Sequence, residues 1–163
     1  MHILDIVMNS VKADAKLIEI TISDSIKNNI LKITIKDDGK GMSEEVLANV
    51  TNPFYTTRTS RKVGLGIPML KEACERCKGS FNITSKIGAG TSVECFLERN
   101  NIDRAPLGNM GDTIMAIVNS LNDCELIYTH EADDNTFQLS TVQIKEILDT
   151  VSIKSNDVML LIK

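Results

Sequence analysis

The sequence predicts an α+β fold, a two-layer α/β sandwich, and three observations predict it. Apolar residues recur at helical spacing in residues 2–12 and 67–77 and again at Ile114, Ile117, Val118 and Leu121. They alternate with polar residues, the period of a half-buried strand, in residues 17–23, 31–37, 80–86 and 91–98. The chain has 163 residues, of which 42% are hydrophobic. A chain of that length buries roughly two-thirds of its unfolded surface, enough for a core without disulfide staples.

The first helix spans residues 2–12, with Ile3, Leu4, Val7 and Val11 on one side. Strands at 17–23 and 31–37 follow, then a short helix at 44–51. From Asn52 to Gly66 the pattern lapses into loop chemistry: Pro53, a run rich in Thr, Ser and Arg, then Gly64 and Gly66. A helix resumes over 67–77, with Pro68 in the first turn, where proline is tolerated. Strands at 80–86 and 91–98 flank Gly88-Ala89-Gly90, a hairpin signal. Residues 100–111, with Pro106, Gly108 and Gly111, read as a connector to a second unit. In that unit a helix carries Ile114 to Leu121, short strands occupy 125–130 and 135–139, and Ser140-Thr-Val-Gln143 is a capping-box pattern. The last helix continues through Ile144, Ile147, Leu148 and Val151. The expected domains are residues 1–100 and an acidic α/β appendage, 101–163.

Charge separates these parts. Residues 1–100 hold 14 Lys and Arg against 12 Asp and Glu, net +2, whereas residues 101–163 hold 4 against 10, net −6. An acidic segment argues against nucleic acid as a partner, since phosphate contacts need clustered basic residues. The near-neutral front leaves room for a small anionic ligand. No apolar run approaches the roughly 18 residues of a membrane span. The amino terminus lacks a basic stretch before an apolar core, so no secretory leader is expected and the expected location is cytoplasmic. Four cysteines are then free thiols rather than bridges.

Two features of the front part bear on chemistry. In the first helix His2, Asp5, Asn9 and Lys12 fall within about 80° of one another, a polar stripe that is an ordinary solvated face unless a second element meets it. In the second strand Leu31, Ile33 and Ile35 alternate with Lys32, Thr34 and Lys36, which turns Asp37 toward the apolar side. An unpaired carboxylate there costs several kcal/mol, so something must donate to it. Asp37 capping its own turn is one answer, and a ligand is another. Thr91 likewise falls in phase with Val93, Cys95 and Leu97 and carries a hydroxyl to the core side.

Five motifs stand in order: Asp5-Ile-Val-Met-Asn9 with Lys12, Asp37-Asp-Gly39-Lys-Gly41-Met42, Asn52-Pro-Phe-Tyr-Thr-Thr-Arg58, Gly64-Leu65-Gly66, and Gly90-Thr91. Over residues 1–98 they resemble the N, G1, F and G2 boxes and terminal Gly-Thr of the GHKL superfamily, which includes gyrase, heat-shock chaperones, sensor histidine kinases and MutL proteins. The resemblance implies a Bergerat ATP-binding fold with a mixed sheet, in which nucleotide lies beneath a flexible lid. It implies that Asn9 ligates Mg²⁺ through its amide oxygen, that Lys12 sits near the phosphates, and that Asp37 accepts from the adenine amino group with Thr91 in support through its hydroxyl or a water. Gly39, Gly41 and Met42 would line the adenine side. Phe54, Thr56, Thr57 and Arg58 would belong to the lid. Gly64, Leu65 and Gly66 would present backbone N–H groups to the phosphates.

Two departures stand out. Lys62 occupies a place where the family often has a further glycine, and Asp5 stands where hydrolytic members have Glu as general base. A shorter side chain can still act through one water, so Asp5 is the expected catalytic residue, a helix-cap role being the alternative. Only His2 and His130 are available as phosphoacceptors, so a complete histidine kinase is not expected, and His130 reads as a surface residue. Cys74-Glu-Arg-Cys77 falls in or at the end of a helix rather than in a metal knuckle and reads as buried thiols. The expected function is Mg-ATP binding with hydrolysis or γ-phosphate transfer to a partner protein. The alternatives are a nucleotide-gated switch without turnover and a scaffold that has lost nucleotide.

Overall fold

The computed structural model of the chain describes residues 2–52, 65–149, 151–155 and 157–158. The elements in order are α1 (Ile3–Lys12), β1 (Leu17–Ser25), β2 (Ile30–Asp37), α2 (Glu44–Asn49), α3 (Gly66–Arg76), β3 (Ser80–Lys86), β4 (Gly90–Glu98), α4 (Met110–Ser120), β5 (Glu125–Ala132), β6 (Asn135–Ser140) and α5 (Thr141–Leu148). The strands form one six-stranded sheet in the order β3-β4-β2-β1-β5-β6. All neighbours are antiparallel except β1 and β5, so the sheet is mixed.

Strand parity makes one face apolar. Ile18, Ile20 and Ile22 of β1, Leu31, Ile33 and Ile35 of β2, Val93, Cys95 and Leu97 of β4, and Leu126 and Tyr128 of β5 are buried in one cluster with Ile3, Ile6 and Val7 of α1, Leu70 and Cys74 of α3, and Ile114, Ile117 and Val118 of α4. The residues between them carry charge on the other face, where Lys32 lies 3.2 Å from Glu94 and Lys36 3.9 Å from Glu19. A period of two thus separates a helix-covered face from a solvated one.

The strands of the acidic segment join this sheet. β5 pairs with β1 from Leu17↔Glu125 to Asp24↔Ala132, and α4 packs against α1. At the far end Asp133 Oδ1 accepts from the backbone N–H of Ile26 at 3.0 Å and of Lys27 at 3.4 Å, tying the β5–β6 turn to the β1–β2 turn. Residues 101–109 therefore connect two parts of one sheet. Such a parallel pairing, more than a hundred residues apart, leaves no trace in local composition.

Two side-chain assignments differ from the helical reading. On α1 the buried arc is Ile3, Ile6, Val7 and Ser10, while Leu4 is 37% exposed. α1 packs against α4, α3 and β2, and Ile6 and the small Ser10 face inward. The last helix stops at Leu148, where Asp149 takes a left-handed φ of 50°, and Val151 is half-exposed beyond it. The Ser140 N-cap is present, its Oγ accepting from Gln143 N at 3.5 Å. All four cysteines are buried free thiols. Cys74 and Cys95 lie within the core, and burial pushes the Cys124 thiol up to about 11.

Asp38 anchors the α1–β1 connection. Its Oδ1 accepts from Lys16 N at 2.7 Å and Leu17 N at 2.9 Å, and the Leu17 N–H holds the carboxyl below its ordinary value of 3.8. A depressed carboxylate stabilises the fold above its unfolded pKa, and that stability is lost as pH falls through the folded value. Acid titration of unfolding should therefore steepen below about pH 4. Asp38→Asn should be less stable at neutral pH and show a shallower loss there, as read by circular dichroism.

Candidate functional site

Asp37 ends β2 on the core side, paired in register with Ile18 of β1 and Thr91 of β4. It is 8% exposed, and with Ser10 and Thr141 it makes up the buried polar residues among those described. Three donors meet it. Oδ1 accepts from Gly39 N at 2.9 Å and Thr91 N at 3.2 Å, and Oδ2 accepts from Ser10 Oγ at 2.6 Å. The self-capping turn is therefore real, through Gly39, and it coexists with contacts from two other elements.

Thr91 supports Asp37 differently from the sequence expectation. Its backbone N–H is the donor, and its hydroxyl meets the Ser85 hydroxyl at 2.9 Å, because Thr91 and Ser85 are cross-strand partners. Gly90 permits this approach. It has φ +86°, and a Cβ there would fall 1.9 Å from the Asp37 carbonyl oxygen, so no side chain fits.

The carboxylate opens into a cavity of about 690 Å³, within the range of small-molecule sites. α1 contributes Ile6, Asn9, Ser10 and Lys12; the β2–α2 segment contributes Asp37, Lys40, Gly41, Met42 and Ser43; α2 adds Val46, with Val50 just after it. Ala13 after α1, Ile35 of β2, Ile67 from α3, Ile87 from the β3–β4 turn, and Thr91 and Val93 from β4 complete the wall. The result is an apolar slot with a buried acceptor on its wall and two cations, Lys12 and Lys40, among its lining residues.

Of the residues singled out from sequence, Asn9, Lys12, Asp37, Gly41, Met42 and Thr91 are brought together here. Gly39 is buried behind Asp37, against Ala13. Gly66 opens α3 against α1, where a Cβ would fall 2.7 Å from the Asp5 Cβ, so Asp5 and the start of α3 are neighbours. Asp5 is not among the residues lining the cavity; its side chain is 63% exposed, and its Oδ2 lies 3.2 Å from His2 Nδ1. Leu65 caps α3 and is exposed. Phe54, Thr56, Thr57, Arg58 and Gly64, with Lys62, lie outside the described residues.

Ser10 and Lys40 were not singled out. Lys40 is the variable position of the Gly39-Lys-Gly41 turn and carries no motif of its own. Ser10 had a legible signal, a hydroxyl three residues after Val7 and four after Ile6 on a buried helical face, next to Asn9. His130 also departs from the surface reading: it is half-buried, its Nδ1 lies 2.9 Å from the Tyr128 hydroxyl, and it lines a second cavity of about 380 Å³ between α4 and β5–β6.

Residues 2–101 match the family described as histidine kinase-, DNA gyrase B-, and HSP90-like ATPase. The chain belongs to that family. Among its relatives, a putative sensor protein of Shewanella frigidimarina is 35% identical over 75 residues, 45% of this chain and 12% of that protein. Sporulation kinase C of Bacillus subtilis is 31% identical over 94 residues, 58% of this chain and 22% of that protein. The chain thus corresponds to a small part of these longer relatives. In fold, it resembles the crystal structure of the N-terminal domain of a DNA repair protein, with TM-score 0.56 and 15% identity, covering 86% of this chain and 51% of that one. That coverage extends beyond the stretch 2–101, consistent with a single sheet that includes β5. No helix among the described residues is long and apolar enough to cross a membrane.

Proposed function

We propose that the Asp37 cavity binds Mg-ATP and that the chain either hydrolyses it or passes its γ-phosphate to a partner protein in signalling. The observation that carries this reading is the buried, triply hydrogen-bonded Asp37 carboxylate facing an apolar slot with Lys12 and Lys40 among its lining residues. Family membership supports nucleotide binding, and the kinase relatives support the signalling role.

The residues present suit the ligand. Asp37 Oδ2 keeps a lone pair for a base amine, Met42, Val46 and Ile87 offer apolar surface to the ring, and Lys12 and Lys40 offset phosphate charge. Asn9, which lines the cavity from α1, would offer its amide oxygen to a hard cation. Mg²⁺, when bound, would neutralise phosphate charge and orient the terminal phosphate. Asp5, beside the start of α3, would accept the proton of the attacking water or side chain, directly or through one water. The acidic β5–β6 side would meet a basic surface of the partner. Four free thiols suit a reducing, cytoplasmic setting.

One observation favours the switch without turnover: Asp5 lies outside the cavity lining, turned to His2. Incubation with Mg²⁺ and γ-labelled ATP decides between them. Turnover predicts label released as phosphate or found on protein, abolished by Asn9→Ala and reduced at least tenfold by Asp5→Asn, within the usual worth of a general base. Label left entirely on bound ATP, in the presence of the natural partner, would contradict turnover.

A further inference from the structure

We infer that the sheet edge at β6 binds an extended basic segment of a partner protein, which adds as one further strand and seats one large apolar side chain in the cavity between α4 and β5–β6. The inference rests on the reading that the acidic β5–β6 side meets a basic surface, and gives that surface a form.

β6 is the last strand in the sheet order, so one side of its backbone has no neighbour among the described strands. Proteins usually blunt such an edge with charge, proline or a bulge, because its unpaired N–H and C=O groups are a template for another chain. β6 has none of these. Its sequence, Asn-Thr-Phe-Gln-Leu-Ser, is uncharged and free of proline, and it pairs with β5 without interruption from Ala132↔Asn135 to Ile127↔Ser140. The opposite edge, β3, ends in Lys86 and has α2 and α3 packed against it, whereas β6 packs chiefly on β5. The open edge is therefore β6.

Beside that edge lies an anchor site. Register puts Phe137 and Leu139 on the same face as their partners His130 and Tyr128. The first turns of α4, with Met110, Gly111 and Ile114, form the other wall of a cavity of about 380 Å³. That is at the small end for a ligand site and suits a single large side chain. The strand wall is aromatic: Tyr128 meets His130 and Phe137 edge to face, with ring centroids 6.1 and 6.2 Å away, and Phe137 is 55% exposed. Polar groups of this wall answer each other, since the Tyr128 hydroxyl lies 2.9 Å from His130 Nδ1. Burial also pushes the Tyr128 hydroxyl up to about 12, so no phenolate forms at neutral pH. An apolar or aromatic side chain suits such a wall.

The rim sets the charge of the flanking residues. Every charged residue next in sequence to the cavity lining, namely Asp112, Glu131, Asp133 and Asp134, is acidic. Asp133 accepts from the Ile26 and Lys27 N–H groups, while Asp112 at the start of α4 and Asp134 in the β5–β6 turn are exposed. Lysine or arginine beside the anchor residue complements them. A second copy of this chain does not, because its own β6 brings the same carboxylates, in a segment of 4 basic against 10 acidic residues. Exposed ion pairs contribute little individually, so strand hydrogen bonds and the anchor supply the affinity and the acidic rim supplies selection.

The test pans a library of random heptapeptides against the purified full chain, then follows the enriched peptides by calorimetry and by hydrogen exchange of the β6 amides. Enriched peptides should carry lysine or arginine flanking one aromatic or large aliphatic residue, and should protect alternate amides from Asn135 to Ser140. Ala132→Trp, which fills the cavity from an exposed position on β5, should weaken them at least tenfold with Mg-ATP affinity unchanged. Phe137→Ala, which opens the wall, should weaken them likewise and serves if the filled variant does not fold. Asp112→Asn combined with Asp134→Asn should weaken them roughly three- to tenfold, as two exposed pairs do, and flatten the salt dependence. Basic peptides that bind without protecting β6, or that bind the folded Ala132→Trp chain as tightly as wild type, would overturn strand addition while leaving the basic-partner reading in place. Enrichment of acidic or uncharged peptides that protect β6 would overturn the basic-partner reading and with it the charge of the segment. No enrichment, or a wild-type chain that is dimeric with β6 already protected, would overturn the inference.

Discussion

Asp37→Asn raises the dissociation constant for ATP by roughly ten- to hundredfold while leaving the fold in place. An asparagine can keep its amide oxygen where Oδ1 now accepts from Gly39 and Thr91, so the β2 end and the turn remain tied. The NH₂ group then stands in the place of Oδ2, where it points a donor at Ser10 and at the cavity. Ser10 can answer by accepting instead of donating. A base amine cannot, and two donors face each other across the slot. The cost is the lost hydrogen bond to a charged acceptor, about 1.5–3 kcal/mol. Calorimetry beside a denaturation curve separates this loss of binding from loss of structure. An unchanged affinity in a folded variant would remove Asp37 from the site.

Deleting residues 101–163 abolishes cooperative folding, the second large effect. The deletion strips β5 from the whole length of β1, leaving the N–H and C=O groups of that strand exposed on a flat edge. It also removes Ile114, Ile117, Val118 and Leu126, each essentially inaccessible to solvent. Burial of such a side chain contributes about 1.5–3 kcal/mol. Four of them together match the total stability of a typical domain, about 5–15 kcal/mol. The truncated chain should lose its sharp thermal transition and aggregate through β1. A monomeric fragment with a sharp transition and undiminished ATP affinity would show that the acidic segment is an independent appendage.

Much of the fold was legible because its signals are local. Strand parity put Asp37 on the core side before any partner was known, since Leu31, Ile33 and Ile35 fix which face is inward. The Gly88–Gly90 hairpin and the Ser140 cap were likewise readable, because turn and cap chemistry lies within a few residues. What escaped depends on contacts between distant elements. The β1–β5 pairing joins residues over a hundred positions apart, so the composition break near residue 100 suggested a boundary at a place where the sheet continues. The arc of α1 that buries Ile6 and Ser10 and exposes Leu4 depends on the elements packed against it, α4, α3 and β2, and not on the helix's own pattern alone. Of the motif residues, Asn9, Lys12, Gly41, Met42 and Thr91 line one cavity with Asp37. Ser10 shows in the sequence only as a hydroxyl on an apolar helical face, and its role follows from the carboxylate that it meets across the fold.

The most direct test of the central claim is amide chemical-shift mapping of the labelled chain titrated with Mg-ATP. Binding in the Asp37 cavity predicts the largest shifts at Asn9, Ser10, Gly39 to Val46 and Thr91 to Val93, with saturation behaviour common to all of them. Shifts clustered instead at Met110, Tyr128, His130 and Phe137 around the second cavity, or none at millimolar ATP, would contradict it.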